Sequence, residues 1–282
     1  MTGASGGLGA ALIPLLRKRR DTLILTDVGT MDVGDLPDVL KVFNASRPDL
    51  VFHLAAATDV DRCEREPEYA YRVNVLGTNN VATTCQKYDI PLVYVSTAEV
   101  FDGKKKTPYT EQDKPNPVNE YARTKFEGEK AVQRLLKKYF IVRTAWLVGG
   151  GKNDKKFVGK FLRLLDTQKI VKVVSDKIGS PTFADDLAAN LLLLVDSGRY
   201  GLYHMCNKGH GSRYDMAREI LKSLKIKNVE LVAVSSKEFP APAKRGRSEA
   251  IKNRKLGLLG LDRMPEWKKS LRKYLKKEFQ TS

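Results

Sequence analysis

The chain has 282 residues, of which 42% are hydrophobic and 29% are charged, a composition typical of a globular protein. No apolar run approaches the ~18 residues that a membrane span needs, and no signal-peptide pattern is present, so we expect a cytoplasmic protein without membrane insertion. The net charge of +17 suits anionic ligands, but no nucleic-acid-binding motif accompanies it, and we predict no nucleic-acid partner.

The first predicted element is a glycine-rich turn. Gly3, Gly6 and Gly9 are spaced three residues apart and lead into a helix through Leu12. Small residues let a pyrophosphate approach the backbone, and the positive end of the helix dipole favours its charge. The pattern predicts a site for the phosphates of a dinucleotide.

A carboxylate follows the next predicted strand, over residues 22–26. Asp27 comes about 20 residues after the turn, where dinucleotide-binding folds place an acid that binds the adenosine ribose. The alternative is that Asp27 only begins a turn before Gly29. No arginine follows Asp27 directly to hold a 2′-phosphate, which favours NADH, or the use of both NADH and NADPH.

The strand expected before the glycine-rich turn is missing from the sequence. Only Met1 and Thr2 precede Gly3, whereas the dinucleotide fold has its first, central strand there. Without a central parallel strand, backbone groups of its neighbours lose their partners. We therefore expect that the natural chain begins a few residues earlier.

Strands and helices alternate through the first half of the chain. Segments 50–54, 92–96 and 140–143 are rich in β-branched and aromatic residues and are separated by helical stretches. This alternation predicts a Rossmann-type α/β fold with a doubly wound parallel sheet. We assign residues 1–150 to an NAD(P)-binding domain.

A tyrosine and a lysine four residues apart form the predicted reacting pair. Tyr121 and Lys125 lie on one face of a predicted helix, where the cation would lower the pKa of the phenol and make it a better-matched proton donor. Thr97 ends the preceding strand, in position to hydrogen-bond a carbonyl oxygen. On spacing alone, two surface side chains of an amphipathic helix are the alternative.

The pattern loosens beyond residue 150. We predict helices over residues 157–165 and 184–195, a strand over residues 170–174 and a basic helix over residues 268–277. Residues 151–282 are assigned to a smaller C-terminal α/β substrate-binding lobe, with some exchange of chain between the two domains.

Taken in order, these motifs resemble the dTDP-4-dehydrorhamnose reductase family, extended short-chain dehydrogenases/reductases that modify nucleotide sugars. The resemblance implies NAD(P)H-dependent reduction of the C4 ketone of a nucleotide-linked 4-keto-6-deoxy sugar. It covers nearly the whole chain and rests on residues 2–9, 53–61, 71–78, 95–97, 100–103, 121–125, 143–146, 179–182, 186–188, 201–204 and 265–267.

The resemblance also implies a role for each site residue. Tyr121 would protonate the new alkoxide, Thr97 would bond the carbonyl oxygen, and Lys125 would orient the nicotinamide ribose. Trp146 would lie against the sugar, the alternative being a core aromatic. The implied cofactor contacts are Gly3, Gly6, Gly7 and Leu8 at the pyrophosphate, Asp27 at the ribose, Asp32 and Val33 at the adenine, and Ala56, Ala57, Thr58 and Lys125 at the nicotinamide half.

The sequence departs from the family pattern inside the site. Where the family usually has Ser-Thr-Asp-Tyr, this chain has Ser96-Thr97-Ala98-Glu99, and Arg213 falls in a segment where the family tends to have an aromatic residue. Strand alternation turns Glu99 to the face opposite the missing acid. We therefore do not expect Glu99 to replace that acid.

Two other functions stay open on the sequence alone. One is an epimerase or dehydratase of the same extended family, against which Ala98 argues; the other is a regulatory subunit that keeps the fold. The expected cofactor is NADH or NADPH. The cysteines and histidines have no metal-ligand spacing, and the Mg²⁺ associated with some family members finds no assignable ligands. A homodimer is compatible with the sequence.

Overall fold

The structure is a computed structural model that describes residues 1–151, 154 and 156–279. Helices and strands alternate along these residues. The helices are α1 (Gly7–Lys18), α2 (Leu36–Ser46), α3 (Val60–Arg65), α4 (Pro67–Tyr71), α5 (Gly77–Lys87), α6 (Glu120–Leu135), α7 (Phe157–Leu165), α8 (Ala184–Asp196), α9 (Arg213–Leu224), α10 (Arg254–Leu258) and α11 (Trp267–Phe279). The strands are β1 (Val51–His53), β2 (Leu92–Thr97), β3 (Tyr139–Thr144), β4 (Leu147–Val148), β5 (Ile170–Val174), β6 (Ile178–Gly179), β7 (Thr182–Phe183), β8 (Gly201–His204), β9 (Gly211–Ser212), β10 (Glu230–Val234) and β11 (Ser248–Glu249).

A parallel sheet in the order β1-β2-β3-β8 forms the centre of the fold. Its strands are buried on both faces, because α1, α8 and α10 pack on one face and α2, α5 and α6 on the other. Leu12, Leu187 and Leu191 fill the first interface, and Val39, Val81 and other aliphatic side chains fill the second. The Rossmann-type α/β architecture predicted from the alternation of elements is confirmed.

The first residues of the chain lie between β1 and the segment around Thr26. The Thr2 N–H donates to Phe52 O at 2.9 Å, and the Thr26 N–H donates to Met1 O at 2.9 Å. The strand predicted over residues 22–26 is not formed, and Thr26 makes only an isolated parallel bridge with Thr2. That the natural chain begins earlier stays a prediction.

A second group of elements packs beside the carboxyl ends of the main strands. β5 pairs with β10, β6 pairs with β9 and β11, and helices α7, α9 and α11 enclose a core that includes Phe161, Met216 and Trp267. The predicted elements 157–165 and 170–174 are found with those bounds. β8 and α8 come from the second half of the chain yet belong to the main sheet and its covering layer. The domain boundary at residue 150 stays a prediction.

The described residues include no helix that is long and apolar enough to cross a membrane.

Candidate active site

The carboxyl end of β2 brings the predicted reacting pair against Thr97. Asn119 caps α6, its Oδ1 accepting the Ala122 N–H at 2.8 Å, and this start places Tyr121 and Lys125 one turn apart on the inner side of the helix. The Tyr121 hydroxyl lies close enough to the Thr97 hydroxyl for Thr97 to act on the Tyr121 pKa. The three side chains predicted to be catalytic therefore meet at one edge of the sheet.

Desolvation controls the acidity of the pair. Burial and the negative charge of Glu99 raise the pKa of Tyr121, although the neighbouring Thr97 hydroxyl acts in the opposite direction. Burial also lowers the pKa of Lys125 to about 7, against the charge of Glu129. The prediction that the Tyr121 pKa is lowered is therefore wrong, because burial dominates it. The phenol stays protonated at neutral pH, as a proton donor must.

Lys125 is held by packing. Its side chain is almost fully buried, and Nζ lies 4.1 Å from the centre of the Tyr94 ring. Glu129, one turn further along α6, is engaged by Arg143 at 2.6 Å and by the Ser96 hydroxyl at 2.6 Å. Within the described part of the chain Nζ makes no hydrogen bond, which leaves its donors for a ligand.

The glycine-rich turn closes onto the loop that follows β1. Gly3 has φ +63°, and a Cβ there would lie 2.6 Å from Ala55 N, so only glycine fits. Gly6 caps α1 without a side-chain hydrogen bond, and α1 begins at Gly7. Leu8 buries its side chain in the core, leaving its backbone at the helix N-terminus. A helix N-terminus without a side-chain cap, preceded by small residues, can bind a pyrophosphate through its backbone N–H groups.

The predicted adenosine end lies beside this turn. The Ser5 N–H donates to Asp27 Oδ2 at 3.0 Å, which places the carboxylate next to the glycines. Asp32 forms an ion pair with Arg72 and accepts the Gly34 N–H at 2.8 Å. Val33, which follows Asp32, is buried. Their roles at the adenosine stay predictions.

The predicted nicotinamide half is held by an asparagine that the sequence analysis left without a role. Asn74 Oδ1 accepts the Ala57 N–H at 2.9 Å, and Nδ2 donates to Ala57 O at 3.2 Å and to Thr124 Oγ1 at 3.0 Å. Asn74 thereby fixes the loop of Ala56, Ala57 and Thr58 to α6. A polar residue among apolar neighbours in segment 71–78 was the available signal.

Trp146 is enclosed on both faces. The Arg213 guanidinium lies 3.7 Å from the centre of the indole, and a Cβ at Gly179 would overlap the other face. Trp146 Nε1 donates to Glu249 Oε2 at 3.0 Å. Only the edge of the indole can therefore contact a sugar. A sugar could stack on the face of the indole only if Arg213 moved. Arg213 stacks its planar cation on the indole.

The expected orientation of Glu99 is wrong. β2 ends at Thr97, and residues 98–100 form a 3₁₀ turn, so strand alternation does not extend to Glu99. The Glu99 N–H donates to Thr97 Oγ1 at 3.1 Å, and Asn119 Nδ2 donates to Glu99 Oε2 at 3.0 Å. The carboxylate therefore lies on the same side as Tyr121, inside the site.

Comparison with known proteins decides the family. The model of the RmlD substrate binding domain matches residues 1–280. The chain belongs to this family. A dTDP-4-dehydrorhamnose reductase of Mycolicibacterium smegmatis is 34% identical over 273 residues, which cover 96% of this chain and 83% of that protein. The family expected from the motifs is thus confirmed.

Two solved structures of dTDP-4-dehydrorhamnose reductases match this chain over nearly the whole length of both chains. The dTDP-4-dehydrorhamnose reductase of Clostridium acetobutylicum has a TM-score of 0.95 and 39% identity, covering 99% of this chain and 98% of that one. The enzyme of Bacillus anthracis, solved in complex with NADP, has a TM-score of 0.93 and 36% identity, covering 98% of this chain and 97% of its own.

Proposed function

We propose that this RmlD-family protein reduces the C4 ketone of a dTDP-linked 4-keto-6-deoxy sugar, using NADPH or NADH. The observation that carries the proposal is that Tyr121 lies beside Thr97 and that Lys125 lies on the next turn of the same helix. The relatives named as dTDP-4-dehydrorhamnose reductases support this choice of substrate.

Each reacting side chain has one task in the proposed reduction. The Thr97 and Tyr121 hydroxyls bond the ketone oxygen, and the Tyr121 phenol gives its proton to that oxygen as negative charge develops on it. The raised pKa of Tyr121 keeps this proton available at neutral pH. Lys125 Nζ binds the nicotinamide ribose with the donors that the protein leaves free.

The bound dinucleotide supplies the hydride. Gly3, Gly6, Gly7 and the backbone of Leu8 would hold its pyrophosphate at the start of α1, and Asp27 its adenosine ribose. Asp32 and Val33 would border the adenine, and Ala56, Ala57 and Thr58 the nicotinamide half. Trp146 would border the sugar, with its indole held by Glu249 and Arg213.

The test is consumption of NADPH and NADH with enzymatically prepared dTDP-4-keto-6-deoxy-L-mannose, followed by nicotinamide absorbance. Tyr121→Phe should lower kcat by about 10²–10⁴-fold without weakening cofactor binding. Tyr200→Phe, a change at a tyrosine that lies before β8, is the matched control. Unchanged turnover in Tyr121→Phe would contradict the proposal.

We also propose a homodimer and a cytoplasmic location, and both stay predictions, as does the absence of a nucleic-acid partner. Among the residues that the structure describes, no group of three or more His, Cys, Asp or Glu side chains could hold a metal ion. Mg²⁺ therefore has no assigned ligands here, and no step of the proposed reaction uses it.

A further inference from the structure

Glu99 is a carboxylate inside the site to which the proposed reduction gives no task. Its backbone N–H is bonded to Thr97 Oγ1 at 3.1 Å, and its Oε2 accepts from Asn119 at 3.0 Å. Asn119 also caps α6, two residues before Tyr121. The Glu99 backbone is thus bonded to Thr97, and its carboxylate is bonded to the residue that caps the helix of Tyr121.

The surroundings of Glu99 make it a base of useful strength. Burial and the negative charge of Glu249 raise its pKa to about 8, while Asn119, Arg245 and Arg213 act in the opposite direction. Its side chain is mostly buried but keeps part of its surface exposed, so a sugar in the cleft can reach it. A carboxylate that loses water around it becomes more basic, and its pKa falls in the range suited to proton transfer.

A ketone held at this position has acidic C–H bonds on the two neighbouring carbons. Removing one of these protons leaves a negative charge on the ketone oxygen, which the Thr97 and Tyr121 hydroxyls would stabilise as they stabilise the alkoxide of the reduction. The same site therefore contains a base, an acidic C–H bond and donors for the resulting oxyanion.

We propose that Glu99 removes and returns a proton at a carbon next to the sugar ketone, so that the protein exchanges this C–H with solvent without hydride transfer. In the forward step the C–H bond breaks and its proton moves to the Glu99 carboxylate. The C–H electron pair forms a carbon–carbon double bond as the carbonyl π pair moves to oxygen. While the enolate is bound, the proton on the Glu99 carboxyl group exchanges with water. The return step then delivers a solvent-derived proton to carbon as the C=C electron pair re-forms the C–H bond and the oxygen pair re-forms the carbonyl, and no oxidant or reductant is consumed. The inference rests on the proposed function, which supplies the ketone.

The test uses the protein saturated with NADP⁺, so that no hydride is available. dTDP-4-keto-6-deoxy-L-mannose, freed from its preparative enzymes by ultrafiltration, is placed in D₂O, and the C3 and C5 proton signals are followed by NMR. We expect one signal to disappear with wild-type protein, faster as the pH rises through about 8. Glu99→Gln, which can still accept from Asn119, should lose at least about 100-fold in exchange rate.

The controls distinguish loss of the Glu99 base from damage to the structure. Glu99→Asp should keep measurable exchange, and Glu127→Gln, on the outer side of α6, should match wild type. Melting temperature and NADPH fluorescence titration check that Glu99→Gln is folded and binds cofactor. Reduction without exchange in the wild type, or equal exchange in Glu99→Gln, would overturn the inference and leave the proposed function standing. Absence of both reactions would overturn the proposed function itself.

Discussion

Lys125 places an ammonium group where water barely reaches. Its pKa of about 7 in the folded protein lies below the usual 10.5, so between these values the unfolded chain binds a proton that the folded protein has released. Stability therefore rises with pH across this window, by on the order of 1 kcal/mol per pH unit. Below pH 7 the folded protein carries the buried Lys125 ammonium charge, and its full cost lowers the free energy of unfolding.

Replacing Lys125 should make the protein more stable and less active. We expect Lys125→Met to raise the free energy of unfolding at pH 7, with a smaller gain at pH 9.5, because the buried charge is gone. Turnover should fall at least about 10-fold. Urea unfolding at both pH values measures this, with exposed Lys130→Met as control. The same pH slope in wild type and Lys125→Met would show that Lys125 is not responsible.

Asp27 should set the preference between the two dinucleotides. Its carboxylate, fixed beside the turn by Ser5 N–H at 3.0 Å, would accept from ribose hydroxyls and repel a 2′-phosphate. Asp27→Asn should raise the ratio of kcat/KM for NADPH over NADH by about 10-fold, equivalent to ~1.4 kcal/mol. Steady-state kinetics with both cofactors tests this; an unchanged ratio would place the determinant elsewhere.

Residue types and spacing predicted the three proposed catalytic side chains at the end of β2 better than they predicted the side chains around them. Tyr121, Lys125 and Thr97 could be found because helical periodicity and strand ends fix their relative positions. Glu99 was misplaced because β2 ends two residues before it. The contact of Trp146 with Glu249 spans 103 residues, and no local pattern indicates such a pair.

α6 depends on its N-cap residue for both stability and position. Asn119 caps the helix, and its Nδ2 donates to Glu99 and to Lys244 O at 2.9 Å. Asn119→Ala should cost about 1 kcal/mol or more through loss of the cap. Asn119→Ser should restore the cap and the stability, yet should not restore the bond to Glu99.

Thermal unfolding and the rate of C–H exchange at the sugar, measured for both Asn119 variants, separate the two tasks. A stable Asn119→Ser protein with impaired exchange at the sugar would show that the amide positions Glu99. Recovery of both properties in Asn119→Ser would indicate that the cap alone matters.

Elements were predictable where one periodicity governs them. α7 and β5 were found with the predicted bounds because a continuous apolar pattern runs through each. The segment over residues 22–26 shows the limit, because its composition is that of a strand but a strand also needs a paired neighbour, and this segment forms a single bridge. Two-residue strands such as β6 and β11 leave no pattern in the sequence.

The charge of the whole molecule bears on its substrate more than on its fold. The lysines of α11 face outward while Trp267, Leu271 and Tyr274 are buried, as a solvated basic face requires. With a net charge of +17, the protein should attract a dianionic nucleotide sugar. KM should therefore rise at least about threefold between roughly 50 and 500 mM salt, with kcat little changed.

The contribution of the basic loop at residues 244–247 to substrate attraction can be measured separately from that of the other charges. Removing Lys244 and Arg247, both exposed, by the changes Lys244→Gln and Arg247→Gln should reduce the salt dependence of KM. Removing two exposed lysines of α11, by Lys268→Gln and Lys269→Gln, should leave it near the wild-type value. A KM insensitive to salt in every variant would rule out long-range attraction.

Deuteride transfer tests the central claim most directly. The protein is given NADPH carrying deuterium on the transferred face and dTDP-4-keto-6-deoxy-L-mannose, and the purified sugar product is analysed by NMR and mass spectrometry. We predict one deuterium at C4 with wild-type protein, and loss of the product in Tyr121→Phe. Product lacking deuterium at C4, or formed equally fast by Tyr121→Phe, would contradict the proposed reduction.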